Sequence, residues 1–156
     1  MKVLYLETIA LVERLHRQCL EVVKAELERL GIRDLNSVQA MILFNIGDAE
    51  LTVGELTQRG YYQGSNVSYN VKKMVEHGYL IQERSQHDRR SFHVRVSDKG
   101  LEVCQAINKL FDRHVSELTS GTASPDALRD ANQELSKLQH FWTLPQHYGG
   151  RMTSAA

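Results

Sequence analysis

Apolar residues recur at spacings of three and four from Val3 to Leu30: Leu4, Ile9, Leu11, Val12, Leu15, Cys19, Leu20, Val22, Val23, Leu27 and Leu30. That period predicts one long helix, and its apolar front is too broad for a single neighbour. Gly31 is placed to stop it. A second helix follows Asp34, with Asn36 or Ser37 as its cap and Gln39 three residues beyond Asn36, as in a capping box. Val38, Met41, Ile42, Leu43 and Ile46 form its buried side, and Gly47 ends it. Leu51 is an isolated apolar position, read as a short strand that pairs with a later hairpin. Thr52 and Glu55 make a second capping box, which opens a third helix from about Val53 to Arg59 with Leu56 inward. Gly60 ends it.

Tyr61–Gly64 reads as a turn, and Ser65 as the cap of a fourth helix. Val67, Val71, Met74 and Val75 give this helix a single buried stripe. Asn66, Ser68, Tyr69, Asn70, Lys72 and Lys73 are placed mainly off that stripe, and Gly78 is the stop. Tyr79–Arg84 and Ser91–Ser97 have strand character; in the second, Phe92, Val94 and Val96 alternate with His93 and Arg95. A polar, basic connection joins them into a hairpin with Arg89 and Arg90 near its tip. Ser97 or Asp98 caps a long helix to about Leu118, and Ser124-Pro125 opens a last one to about Phe141. The expected fold is mainly α with a small β wing: a winged helix-turn-helix flanked by long helices.

Composition narrows the class. The chain has 156 residues, enough for one domain and short for two. No run approaches the roughly 18 apolar residues that span a bilayer, and acid arrives too early for a secretory leader, so a cytoplasmic location is expected without a membrane partner. Net charge is zero, but its distribution is uneven. Arg59–Arg95 holds seven basic and three acidic residues, whereas Asn36–Gln58 holds three acidic residues and no basic one. The positive excess therefore falls on the fourth helix and the hairpin, as a small nucleic-acid-binding face requires.

The order of elements and four local motifs resemble the MarR family of winged-helix transcription regulators. Thr52-Val53-Gly54-Glu55-Leu56 resembles the family's T-x-x-E-L start of the third helix. Ser65 to Met74 resembles its S-x-V-(S/T)-x-x-V-x-x-L recognition helix. Gly78 to Arg84 resembles G-L-(V/I)-x-R, and Asp88-Arg89-Arg90 with Val96-Ser97-Asp98-Lys99-Gly100 resembles the wing and its exit. Two features depart from the pattern: Tyr69 stands where the family often has arginine, and the turn Tyr61-Tyr62-Gln63-Gly64 is aromatic.

The residues and the resemblance together set the expected site. Ser65, Asn66, Ser68, Tyr69 and Asn70 are assigned to base edges and nearby phosphates, and Lys72 and Lys73 to phosphate. Arg89 and Arg90 would reach a minor groove or its phosphates. The resemblance implies that Asp88 braces Arg90 and leaves Arg89 free for DNA. It also implies a homodimer on a pseudo-palindromic operator in double-stranded DNA, and a small-molecule effector. In that division residues 1–35 and 99–144 dimerise, 36–98 form the DNA-binding region and 145–156 are a tail, all within a single integrated domain.

No cofactor, metal or catalytic site is expected. The histidines at 16, 77, 87, 93, 114, 140 and 147 are scattered, with no H-x-x-x-H pair. There is no glycine-rich phosphate loop, nucleophile elbow or paired-carboxylate motif, so the chain is not read as an enzyme. Two alternatives stay open. One is a winged-helix protein-interaction module without specific DNA binding. The other is a redox-sensing regulator that uses Cys19, beside His16 and Arg17.

Overall fold

The structure is a computed structural model that describes residues 1–58, 64–84, 92–121 and 123–144. Its elements are α1 (Lys2–Arg29), α2 (Ser37–Ile46), β1 (Leu51–Thr52), α3 (Val53–Gln58), α4 (Gly64–Glu76), β2 (Leu80–Arg84), β3 (Phe92–Val96), α5 (Asp98–Thr119) and α6 (Pro125–Thr143). The fold is mainly helical with one small antiparallel sheet, as expected. The chain forms two compact units, residues 1–110 and 111–156, and α5 passes from one into the other.

Local chemistry sets the element boundaries. In α2 the Asn36 side chain accepts from Gln39 N at 2.9 Å, and Gln39 Oε1 accepts from Asn36 N at 3.1 Å. This reciprocal box satisfies two orphan amides of the first turn. Glu55 and Thr52 repeat it at α3, where Thr52 N donates to Glu55 Oε2 at 2.7 Å and Glu55 N to Thr52 Oγ1 at 3.1 Å. At the end of α4, Gly78 has a φ of +77°. There Gly78 N donates to Val75 O and Tyr79 N to Met74 O, a C-cap that uses the left-handed backbone glycine adopts without strain. Ser97 rather than Asp98 caps α5: its Oγ accepts from Gly100 N at 3.1 Å.

The hairpin expected from two runs is part of a three-stranded sheet in the order β1-β3-β2. The lone Leu51 does pair with it, opposite Val94. Leu80 faces Val96 and Gln82 faces Val94 across β2 and β3. The core of residues 1–110 draws on its helices and on this sheet. With Val23, its largest fully buried side chains are Ile42, Leu43, Leu56, Val67, Met74, Tyr79, Val94 and Ile107.

Gly100 marks the tightest approach. A Cβ there would lie 2.4 Å from Tyr79 O and 2.6 Å from Val96 Cγ1. Only a residue without a side chain lets α5 start against the β2–β3 pair. A polar cluster ties the same place to the α1–α2 loop. Tyr79 OH donates to Asp34 Oδ1 at 2.6 Å, and Lys99 Nζ donates to Asp34 Oδ2 at 3.1 Å and to His77 O at 2.9 Å.

α1 buries only Val23, Glu26 and Leu27, and the rest of its broad apolar front is partly or largely exposed. α6 has no buried residue. No helix among the described residues is long and apolar enough to cross a membrane.

Candidate nucleic-acid interface

α3 and α4 make the helix-turn-helix pair. α4 is anchored from one side by Val67, Val71 and Met74, all buried. Its opposite side carries Asn66, Ser68, Tyr69 and Lys72, all exposed, and Tyr69 is 62% accessible. An apolar stripe at a four- and three-residue step leaves the intervening positions facing water. This 13-residue helix therefore presents amide, hydroxyl, phenol and ammonium groups together on one surface.

The expected site residues fall into three groups. Asn66, Ser68, Tyr69 and Lys72 share the exposed face. Lys73 is half-exposed and donates to Glu76 Oε2 at 2.8 Å. That bond raises the lysine's pKa and lowers that of the glutamate. A phosphate would have to compete with Glu76 for this ammonium. Ser65 lies in the first turn of α4, which begins one residue before it, at Gly64. The cap expected of its side chain, and the wing residues Asp88, Arg89 and Arg90, lie outside what the structure describes.

Asn70 is a correction. It was expected at the base edges, but its side chain turns inward and is only 9% exposed. Asn70 Oδ1 accepts from Gln39 Nε2 at 3.2 Å, and Nδ2 donates to Asn66 O at 2.8 Å. The signal for this was available: Asn70 is three residues after Val67 and four before Met74, a spacing that belongs to the buried stripe. Its amide chemistry suggested base recognition, whereas its position requires burial.

The sheet adds two cations that the sequence reading did not assign. The Arg84 guanidinium sits 5.6 Å from the centre of the Phe92 ring, its cross-strand partner. Arg95 pairs with Glu83 at 3.1 Å on the other face.

The thiols differ in setting. Cys104 is half-buried, and burial, aided by the charge of Asp48, pushes its pKa up to about 11. It therefore stays protonated and a weak nucleophile at neutral pH. Cys19 is partly exposed on α1. Among the described residues, no three His, Cys, Asp or Glu side chains converge as metal ligands do.

Comparison with known proteins places this geometry. The family model described as MarR family matches residues 33–91, from the α1–α2 loop to the wing. The chain is 37% identical over 147 residues to the exopolysaccharide II synthesis transcriptional activator ExpG of Rhizobium meliloti (strain 1021), covering 94% of this chain and 76% of that protein. Its fold is similar to that of a MarR transcriptional regulator from Methanosarcina mazei Go1, with a TM-score of 0.68 at 20% identity over 86% of this chain and 96% of that one. It is also similar to Streptococcus pneumoniae FabT, solved in complex with DNA, with a TM-score of 0.71 at 18% identity over 88% of this chain and 96% of that one. The matched segment contains the two capped helices, the recognition helix and the first wing strand, β2, and the chain belongs to the MarR family of winged-helix transcription regulators, which are not enzymes.

Proposed function

We propose that this regulator reads double-stranded DNA as a homodimer, at a pseudo-palindromic operator, and that a small-molecule effector modulates it. The observation that carries the reading is the outward face of α4. Asn66, Ser68 and Tyr69 stand there on a helix whose opposite side is locked into the core. A helix so mounted fits a major groove, where amides and hydroxyls meet base edges. Ser65 joins them at the helix start. Lys72 and Lys73 hold phosphates, and Arg89 and Arg90 extend the grip from the wing, with Asp88 bracing Arg90. The solved complex of FabT with DNA supports the same use of the fold.

Two exposed apolar stripes support the dimer. Leu4, Leu11, Leu15 and Val22 repeat along α1 at seven-, four- and seven-residue steps. Leu128, Leu135 and Trp142 repeat along α6 at seven-residue steps. Such seams pack against other helices, and a two-fold pair would set two recognition helices about one DNA turn apart. An effector that changes their spacing lowers affinity, because both half-sites cannot then be met together. The site of action is the cytoplasm, where the DNA is. The relative ExpG is an activator, so activation is the sign to test first.

The test is selection of bound duplexes from a random pool, followed by gel shifts over a salt series. Specific binding should have a Kd of about 10 nM or tighter, with two half-sites near 10 base pairs apart. Weak binding that salt erases and that shows no site preference would overturn the DNA reading in favour of a protein-interaction module.

A further inference from the structure

Asn70 and Gln39 form a buried polar link between the recognition helix and the helix beneath it. Gln39 is only 6% exposed and is held on both sides. Its Oε1 closes the α2 capping box with Asn36 N, and its Nε2 donates to Asn70 Oδ1 at 3.2 Å. Asn70 passes the link on to the carbonyl of Asn66 at 2.8 Å. The box fixes the rotamer of Gln39, so this donor has a fixed place. Among the described residues of α4 the other buried anchors are apolar, Val67, Val71 and Met74; past the end of the helix, His77 Nδ1 lies 2.7 Å from Asp34 O and Lys99 Nζ donates to His77 O at 2.9 Å. Apolar contact is non-directional and tolerates small slides and rotations of a helix. A hydrogen bond holds to a few tenths of an ångström and to a limited angle, and a buried one that breaks leaves polar atoms unsatisfied.

We infer that Asn70 is a positioning residue for DNA recognition: through Gln39 it fixes the rotation and axial register of α4, and so decides which bases Asn66, Ser68 and Tyr69 meet. The inference rests on the DNA reading above and deepens it. It makes an inward residue, remote from the bases, a determinant of sequence preference. Asn66 is the output of the link, because the carbonyl that receives the bond belongs to the residue at the start of the exposed face.

The test uses the full chain with Asn70→Ser, Gln39→Met and both together. Serine can keep the local bond to the Asn66 carbonyl but is too short to reach Gln39, so it isolates the link to α2. Circular dichroism and thermal melting give the folded fraction of each variant. Gel shifts then compare the selected operator with a scrambled duplex at one salt concentration. Asn70→Ser should lower the preference for the operator about tenfold while leaving affinity for the scrambled duplex and the salt slope unchanged. The double variant should be no worse than either single one, and selection with Asn70→Ser should relax several base positions at once. Three results overturn the inference. The first is an unchanged preference after correction for folded fraction, which assigns Asn70 to stability alone. The second is a loss confined to one base position and additive with Gln39→Met, which makes Asn70 a direct base contact. The third is wild-type protein with no operator preference, which removes the DNA reading itself and this inference with it.

Discussion

Leu43 of α2 and Leu15 of α1 are the same residue type and meet different fates: the first is fully buried, the second 53% exposed. The contrast holds for the regions around them. From Leu35 to Leu110 the apolar positions close on one another within residues 1–110, with Ile42, Leu56, Val67, Met74, Val94 and Ile107 almost wholly excluded from water. Along the first twenty residues of α1, and along α6, equally regular apolar positions stay open; Leu128 is 50% exposed. Apolar periodicity therefore states that a face is to be covered, and not by what. In the winged-helix region the cover comes from the chain itself. In the arms the cover does not come from within either unit, and the proposed dimer would supply it.

Four perturbations break or sharpen this contrast. Met74→Ala, in the closed region, should destabilise the fold by roughly 2–5 kcal/mol, since a fully buried side chain leaves a cavity when truncated. Urea denaturation measures it, and a loss comparable to that of an exposed arm leucine would erase the distinction. Leu11→Asp with Leu15→Asp, in the open region, should convert dimer to monomer and weaken operator binding about a hundredfold, because two half-sites no longer act together. Light scattering and gel shifts give both readings; a wild-type protein that is monomeric at micromolar concentration ends the proposed role of the arms. Gly100→Ala should cost about 1–3 kcal/mol, because the added carbon meets the Tyr79 carbonyl oxygen rather than a side chain that can turn away. A melting temperature equal to that of wild type would show that α5 can back away from the sheet.

The smallest effect belongs to Asp34. Its carboxyl is held below the ordinary carboxylate range, first by the Tyr79 hydroxyl and also by the Lys99 ammonium. A depressed pKa in the folded chain gives stability that is present above the unfolded value and is lost as pH falls through the folded one. Below about pH 4 the wild type should therefore lose stability that Asp34→Asn lacks at every pH. Asp34 and Lys99 are 47% and 48% exposed, so water screens the pair and the effect stays under about 1 kcal/mol. Melting temperatures from pH 7 to pH 3 should converge for the two proteins at the acid end; parallel curves would show that Asp34 does not titrate with folding.

Most of the fold could be read from neighbouring residues. Asn36 with Gln39, Thr52 with Glu55, Gly78 after Glu76, and Pro125 after Ser124 each act within a few positions, so their chemistry is complete in a short stretch of chain. The pairing of Leu51 with the hairpin was also legible, because an apolar residue isolated between turn signals needs a sheet edge. The site was legible less evenly. The exposure of Asn66, Ser68, Tyr69 and Lys72 follows from the stripe opposite them. Asn70 does not follow from residue type, because an asparagine suits a base edge and a buried amide pair equally well.

By itself the sequence determined the elements, the capping boxes that open α2 and α3, the family and the helix that carries the polar face, since all of these depend on spacing and on interactions within a turn or two. Only the tertiary structure decided which polar groups meet across long separations. Asn70 finds Gln39 across 31 positions, Tyr79 finds Asp34 across 45 and Lys99 finds Asp34 across 65. The physical reason is the nature of the bonds. Burial is non-directional and leaves a period in the sequence, whereas a hydrogen bond between distant residues needs two atoms at a set distance and angle, which only the folded chain supplies.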